Sequence, residues 1–242
     1  MKVDALTLEL RPRSMNEAAD LGIRMAQTHA RSTWTCFAPV HAVVAALALS
    51  TVEAWPWLPG LLIFWSKPWL DRTLLFVLSR AVFGQATGLG DLWRARKAVW
   101  RQGVLVALSV HRFSLWRSYT QPVYQLEGQR GSALRARCKT ILSGQRGGAT
   151  AMQLAFANLE LVFAAGLFAT AAWFSLPGRQ STAITWLTGG STSAAFLLSL
   201  AYAGVVLFVE PFYVAAGFAM YLNRRVQLEA WDVEQEFRRA FG

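Results

Sequence analysis

The stretch TSAAFLLSLAYAGVVLFVEPFYVAAGFAMYL, residues 192–222, holds 31 residues and one charged side chain, Glu210. As a helix it reaches about 46 Å, longer than the roughly 30 Å hydrocarbon core of a bilayer. A run this long and this apolar predicts a membrane span. Pro211 follows the lone acid. It removes a backbone donor and crowds the carbonyl of Leu207, which predicts a kink that absorbs some of the excess length. Asn223, Arg224 and Arg225 end the run.

Working outward, 149–174 is a second span, interrupted only by Asn158 and Glu160. A third, 33–52, has 20 residues without Asp, Glu, Lys or Arg, with Pro39 near its start. The tip that follows, Glu53 through Gly60, holds Trp55 and Trp57, the aromatic pair expected at a membrane interface. Its return limb admits two arrangements. In the preferred one, 57–66 is a half-length helix, Lys67-Pro68 breaks it, and 69–83 is an amphipathic helix in the inner leaflet with Arg72, Ser79 and Arg80 on one stripe. In the other, one broken span carries Lys67, Asp71 and Arg72 inside the protein, where unpaired charges cost several kcal/mol.

Charge is distributed unevenly. Residues 67–149 hold fourteen basic residues against Asp71, Asp91 and Glu127. Within them Leu89, Leu92, Trp93, Val99 and Trp100 oppose Arg94, Lys97 and Arg101, which predicts a basic interfacial helix. The apolar run 103–110 is too short to span. Lys- and Arg-rich short loops stay cytoplasmic. The basic stretch and both termini are therefore expected inside, and 175–191, with Arg179 alone, outside. Ser14 and Glu17 form a capping box signature opening an N-terminal helix with Ala18, Leu21 and Met25 at helical spacing. The organisation expected is a cytoplasmic amphipathic segment, 1–32; a membrane domain, 33–222, with its basic region at 67–149; and a short amphipathic C-terminal helix, 223–242. The fold class is all-α: a polytopic membrane bundle with about four crossings plus interfacial helices.

Composition narrows the chemistry. Of 242 residues, 54% are apolar and 16% charged, with 24 Lys plus Arg, 14 Asp plus Glu and two Cys. The chain is too apolar for disorder, and two Cys frame neither a disulfide scaffold nor a Cys-rich metal site. Cys36 and Cys138 are expected as reduced thiols. His29, His41 and His111 lack metal-ligand spacing, and no nucleophile elbow or phosphate loop is present. No cofactor and no enzymatic activity are expected.

Two constellations remain. Glu160 lies 14 residues after Arg146, and Glu210 lies 14 before Arg224. If both arginines mark the inner interface, the acids sit about 21 Å deep at one level on antiparallel helices. Ionisable side chains at that depth face a protein interior or a water path. Two carboxylates there do not both ionise unless a cation or an Arg sits between them. The pair, with Asn158, is either a proton or cation site or a structural pair hydrogen-bonded to backbone, to Asn158 or to each other. Separately, Arg130, Arg135, Arg137 and Lys139 are candidate contacts for an anionic lipid headgroup. Basic residues interleaved with aromatics also suit nucleic acid. Their position between spans favours membrane lipids and sets nucleic acid aside.

The stretches KPWLDRTLLFVLSRAVFG (67–84), PVYQLEGQRGSALRARCKTIL (122–142) and VEPFYVAAGFAMYLNRRVQLEAWDVE (209–234) resemble a family of bacterial inner-membrane proteins without an assigned activity. That family is often encoded beside MoxR-type ATPases and von Willebrand A-domain or transglutaminase-like proteins. The layout is more distantly similar to the membrane domain of some glycerophosphodiester phosphodiesterases, whose catalytic domain has no counterpart here. The resemblance implies a bacterial inner-membrane location and protein partners, and it transfers no catalytic residue. The expected function is a non-enzymatic subunit or scaffold of an envelope complex, partnered by other proteins or by copies of itself. The alternative is a transporter or lipid-handling protein using Glu160 and Glu210.

Overall fold

The computed structural model describes residues 13–101, 114–174, 184–186 and 188–229. Among them the fold is all-α. Helix α1 spans Met15–Thr28, α2 Ala30–Leu49, α3 Leu58–Ala81 and α4 Leu89–Arg94. A π-helical turn follows at Lys97–Arg101. Then come α5 (Arg117–Gln125), α6 (Gly131–Leu142), α7 (Arg146–Trp173) and α8 (Thr192–Glu229). The run 103–110, most of the 175–191 loop and the expected C-terminal helix beyond Glu229 lie outside the described residues.

Among the described residues three helices are long and apolar enough to cross a membrane: α2, α7 and α8, whose apolar windows have mean hydropathies of 1.5, 1.7 and 2.0. The protein is a membrane protein. Helix α8 forms its axis. At 38 residues it extends about 57 Å. From Tyr213 to Tyr221 every residue is buried. A helix that is apolar on all sides needs protein or lipid on all sides; here it is protein. The N-terminal α1 begins with the expected capping box, in which the Ser14 hydroxyl accepts from the Glu17 amide and the Glu17 carboxylate accepts from the Ser14 amide. It lies along α8 so closely that a Cβ on Gly22 would fall 2.3 Å from the Ala215 carbonyl oxygen. Asn223 of α8 ties down the start of α1 by accepting from the Arg13 amide and donating to its carbonyl, both at 2.9 Å.

Helices α2 and α3 form a hairpin whose tip exposes the stacked pair Trp55 and Trp57. His41 of α2 donates through Nε2 to the Ala203 carbonyl at 2.9 Å, fixing α2 to α8. Helix α3 corrects the preferred arrangement. It runs unbroken from Leu58 to Ala81 with Pro68 inside, and Lys67, Asp71 and Arg72 are all buried. The break was expected because those charges would need water. Each instead finds a partner inside the bundle, so the helix continues past them. Arg72, expected on the polar stripe of an inner-leaflet helix, donates to the Val99 carbonyl at 2.5 Å. The basic interfacial helix is likewise divided into α4 and the π-turn, and its Leu92 and Val99 pack on protein while Trp93 and Leu89 stay exposed.

Helix α7 contrasts with α8. Of its 28 residues only Ala149 and Met152 are buried. Leu161 and Val162 are 66% and 65% exposed.

Candidate functional site

Five ionisable side chains from four helices meet in the middle of the bundle. Lys67 and Asp71 stand one turn apart on α3, so both point from one face. Helix α7 brings Glu160, its fifteenth residue of 28 and thus at mid-length. Helix α8 brings Glu210, and α5 brings Arg117. The α5 segment is short, but seven of its nine residues, Arg117 to Val123, are buried. It docks on α8 where the latter has no side chain: a Cβ on Gly217 would lie 2.2 Å from Ser118 Oγ.

The charges alternate along a chain. Lys67 Nζ lies 2.6 Å from Glu160 Oε2 and 2.7 Å from Glu210 Oε2. Arg117 Nη2 lies 2.7 Å from Glu210 Oε1, and its Nε 2.9 Å from Asp71 Oδ2. The Asp71 contact is an ion pair by distance rather than by hydrogen-bond direction. Glu210 is central, with each oxygen on a different cation. Exposure is least at the Asp71 end and greatest at Glu160: along the chain Asp71, Arg117, Glu210, Lys67 and Glu160 are 0%, 4%, 1%, 7% and 17% exposed. Arg117 also lies over the Tyr213 ring at 5.0 Å. Tyr213 accepts at its hydroxyl from the Ser118 amide and donates to Gln153.

A cleft of about 210 Å³ opens on this network. Lys67, Arg117, Glu160 and Glu210 line its polar side, with Gln153 and Tyr213; Phe64, Leu115 and Phe156 line the apolar side. Phe64 and Leu115 are 44% and 50% exposed, so the cleft reaches the surface of the bundle.

The acid pair is therefore brought together, though not directly. The Lys67 ammonium sits between the two carboxylates, the cation-bridged form of the expected pair. Near one end of the helices that carry them, Arg224 of α8 donates to the Ser143 carbonyl just before α7 at 2.9 Å. Asn158 does not join the pair. It is exposed and donates to the Leu154 carbonyl of its own helix at 2.8 Å. Two residues on a helix are about 200° apart, so Asn158 and Glu160 face opposite sides.

The basic cluster also divides. Arg137 is no open lipid contact. Its Nε and Nη2 donate to Glu127 at 2.8 and 3.0 Å, and Nη2 also to Glu229 at 2.5 Å. The Glu127 hydrogen bond, above all, raises the Arg137 pKa further above its usual range. Tyr221 completes that knot by donating to Glu127 at 2.5 Å. Arg130, Arg135 and Lys139 remain exposed. Cys36 and Cys138 are free thiols; burial, then the Glu127 charge, pushes the Cys138 thiol pKa up, which keeps it protonated. Among the described residues no three His, Cys, Asp or Glu side chains gather as a metal ion would require.

Lys67 and Asp71 carried a signal, a charged pair at helical spacing in an apolar run. Arg117 carried none that separated it from the thirteen other basic residues around it. Comparison with protein-family models, with curated proteins and with solved structures finds no match.

Proposed function

We propose that the protein is a non-enzymatic transporter or lipid-handling protein of a membrane, working at the cleft beside Lys67, Glu160 and Glu210. One observation carries this reading: the cleft leads from the bundle surface to the Lys67–Glu160 and Lys67–Glu210 pairs at the mid-length of α7. Charges at such depth are expensive and make a substrate or ion pathway the default hypothesis. The test is water access. In a Cys36→Ser, Cys138→Ser background, Ala157→Cys, which lines the cleft, should react with a charged impermeant maleimide. Val162→Cys on the outer face of α7 should not. Equal, slow labelling at both positions would leave the network as structural glue only.

The accompanying topology is four crossings, α2, α3, α7 and α8, in a bacterial inner membrane. Both termini and residues 85–148 face the cytoplasm and 175–191 faces outside. Labelling of a Cys placed at Arg135 by an outside reagent in intact cells would overturn that orientation. Exposed Arg130, Arg135 and Lys139 then meet anionic lipid, each contributing about 1 kcal/mol near the surface. Neutralising all three should lower the anionic lipid retained on purification.

A second reading, the subunit or scaffold of an envelope complex implied by the family resemblance, is favoured by one feature. An apolar groove of about 610 Å³ lies between the starts of α3 and α8, lined by Trp57, Leu61, Leu198 and Tyr202 among others. Purification in mild detergent with identification of co-eluting proteins separates the two readings.

A further inference from the structure

Helix α7 carries a polar group where a membrane span has least use for one. Asn158 is the thirteenth of its 28 residues, at mid-length, and it is exposed on the side away from the cleft. An amide has two N–H donors and an accepting oxygen. One N–H of Nδ2 goes to the Leu154 carbonyl at 2.8 Å. That carbonyl only accepts, which fixes the orientation of the amide. Among the described residues the second N–H and Oδ1 have no hydrogen bond. Hydrocarbon offers them none, and a polar group left unpaired there is costly.

The surroundings of Asn158 fit a second helix. Ala151, Ala155, Asn158, Val162, Ala165 and Ala169 recur at alternating intervals of four and three, and all six are exposed. That is the spacing along which one helix follows another in a left-handed crossing. Four of the six are alanine, so a second backbone can come close enough for an amide to reach across. The small residues only permit a neighbour. The amide selects it. Copies of one chain insert into a membrane in one orientation, so a dimer axis runs along the membrane normal and the two α7 helices are parallel. Asn158 then meets Asn158 at equal depth. Each amide donates its spare N–H to the other's oxygen, and two reciprocal bonds satisfy what α7 alone leaves unmet. A lipid tail has no hydrogen-bonding group, and a different protein would need a matching amide at the same depth. A self-complementary contact supplies it by symmetry. A single Asn on an apolar seam also fixes register.

We propose that the protein forms a parallel twofold homodimer through the Asn158 face of α7, with the two Asn158 amides hydrogen-bonded across the axis. This rests on α7 crossing the membrane and not on the cleft, which opens beside Glu160, about 200° around the helix.

The test is energy transfer between donor- and acceptor-labelled copies of the full chain in vesicles of phosphatidylethanolamine and phosphatidylglycerol, diluted with increasing lipid. The label is carried by Gln27→Cys, an exposed site on α1, in the Cys36→Ser, Cys138→Ser background. Transfer should exceed that of randomly mixed copies and fall on dilution. Asn158→Leu should weaken the dimer about tenfold, in line with the loss of interhelical polar contacts in a membrane. It should leave the protomer folded, because Asn158 bonds only within its own helix. Asn158→Gln keeps an amide and should weaken the dimer less. Ala155→Leu holds the helices apart without touching the amide and should weaken it at least as much as Asn158→Leu. Leu167→Ala, at an exposed position half a turn round α7, should leave it unchanged. Transfer at the random level at every dilution would overturn the proposal and leave the face to lipid or to a different protein. So would equal dissociation of Asn158→Leu and Leu167→Ala. Maleimide labelling of Ala157→Cys reads the cleft separately, so either reading can fail while the other stands.

Discussion

Helices α7 and α8 hold apolar windows of similar mean hydropathy, 1.7 and 2.0, yet none of the first window is buried and a third of the second is. Tyr213 to Tyr221 of α8 are buried without a gap, wrapped by α1, α5 and other helices. Most of α7 is bare. Hydropathy reports that a segment avoids water and does not distinguish lipid from protein as the alternative. Other features of the two sequences do make that distinction. The buried half of α8 carries Gly217, alanines at 215, 216 and 219, and polar groups with specific partners: Glu210, Tyr213, Tyr221 and Asn223. Small residues let neighbouring backbones approach, and buried polar groups must be satisfied by them. The bare helix holds small residues too, among them Gly166, Ala164 and Ala165, so the polar groups make the distinction: past Arg146 at its start, α7 has one ionisable side chain, Glu160, turned inward.

The largest expected effect on this contrast comes from Arg117. Arg117→Ala leaves Glu210 with one cation and Asp71 with none, both fully buried. Removing one partner of a buried ion pair costs about 3–5 kcal/mol. Thermal unfolding in detergent should show a loss of that size. A loss below about 1 kcal/mol would mean that α5 does not sit in the bundle core.

Next is the close packing around α8. Gly217→Ala places a methyl against Ser118, and Gly22→Ala places one against the Ala215 backbone. Overpacking of this kind costs about 1–3 kcal/mol. The α1 contact is the harder of the two, because the opposing atoms are main chain and cannot rotate away. Gly166→Ala on α7, where a Cβ meets nothing within 4 Å, should instead stabilise slightly, by up to about 1 kcal/mol through helix propensity.

A smaller effect separates the two glutamates. Glu210→Gln removes a charge that two cations share, whereas Glu160→Gln leaves Lys67 with Glu210. The first should cost clearly more than the second. In a double-mutant cycle, Lys67 and Glu160 should couple by about 0.5–3 kcal/mol. Additive losses would show that the 2.6 Å contact contributes nothing.

The apolar runs and the capping box made the helical class, the spans at α2, α7 and α8, and the start of α1 legible from residues alone, because each rests on local periodicity. That Glu160 and Glu210 belong to one site was legible from two counts of 14 residues; the structure brings both onto Lys67. What was not legible depends on long-range pairing. Continuity of α3 through Lys67 and Pro68 follows only once Glu160, Glu210 and Arg117 are placed beside it. The same holds for Arg137, whose partners Glu127 and Glu229 are 10 and 92 residues away. Asn158 was misplaced for a simpler reason: it was grouped with Glu160 by proximity in sequence, while helical geometry puts the two on opposite faces.

The smallest effect is also the one that probes the bare helix most directly. Val162 is 65% exposed on α7. If lipid covers that face, Val162→Ala exchanges one apolar surface for another in an apolar solvent, and no cavity forms because lipid fills the space. Alanine is also the better helix former, by a few tenths of a kcal/mol. The net change in stability should stay within about 0.5 kcal/mol, the range of substitutions away from packed contacts. A core site would respond differently, with transfer and cavity terms both unfavourable. A loss above about 1.5 kcal/mol at Val162, repeated at Leu161→Ala, would therefore mean that another protein surface covers α7 under the conditions of measurement. In that case the contrast between the two helices would be one of which chain does the burying, and the subunit reading would gain the contact surface that it requires.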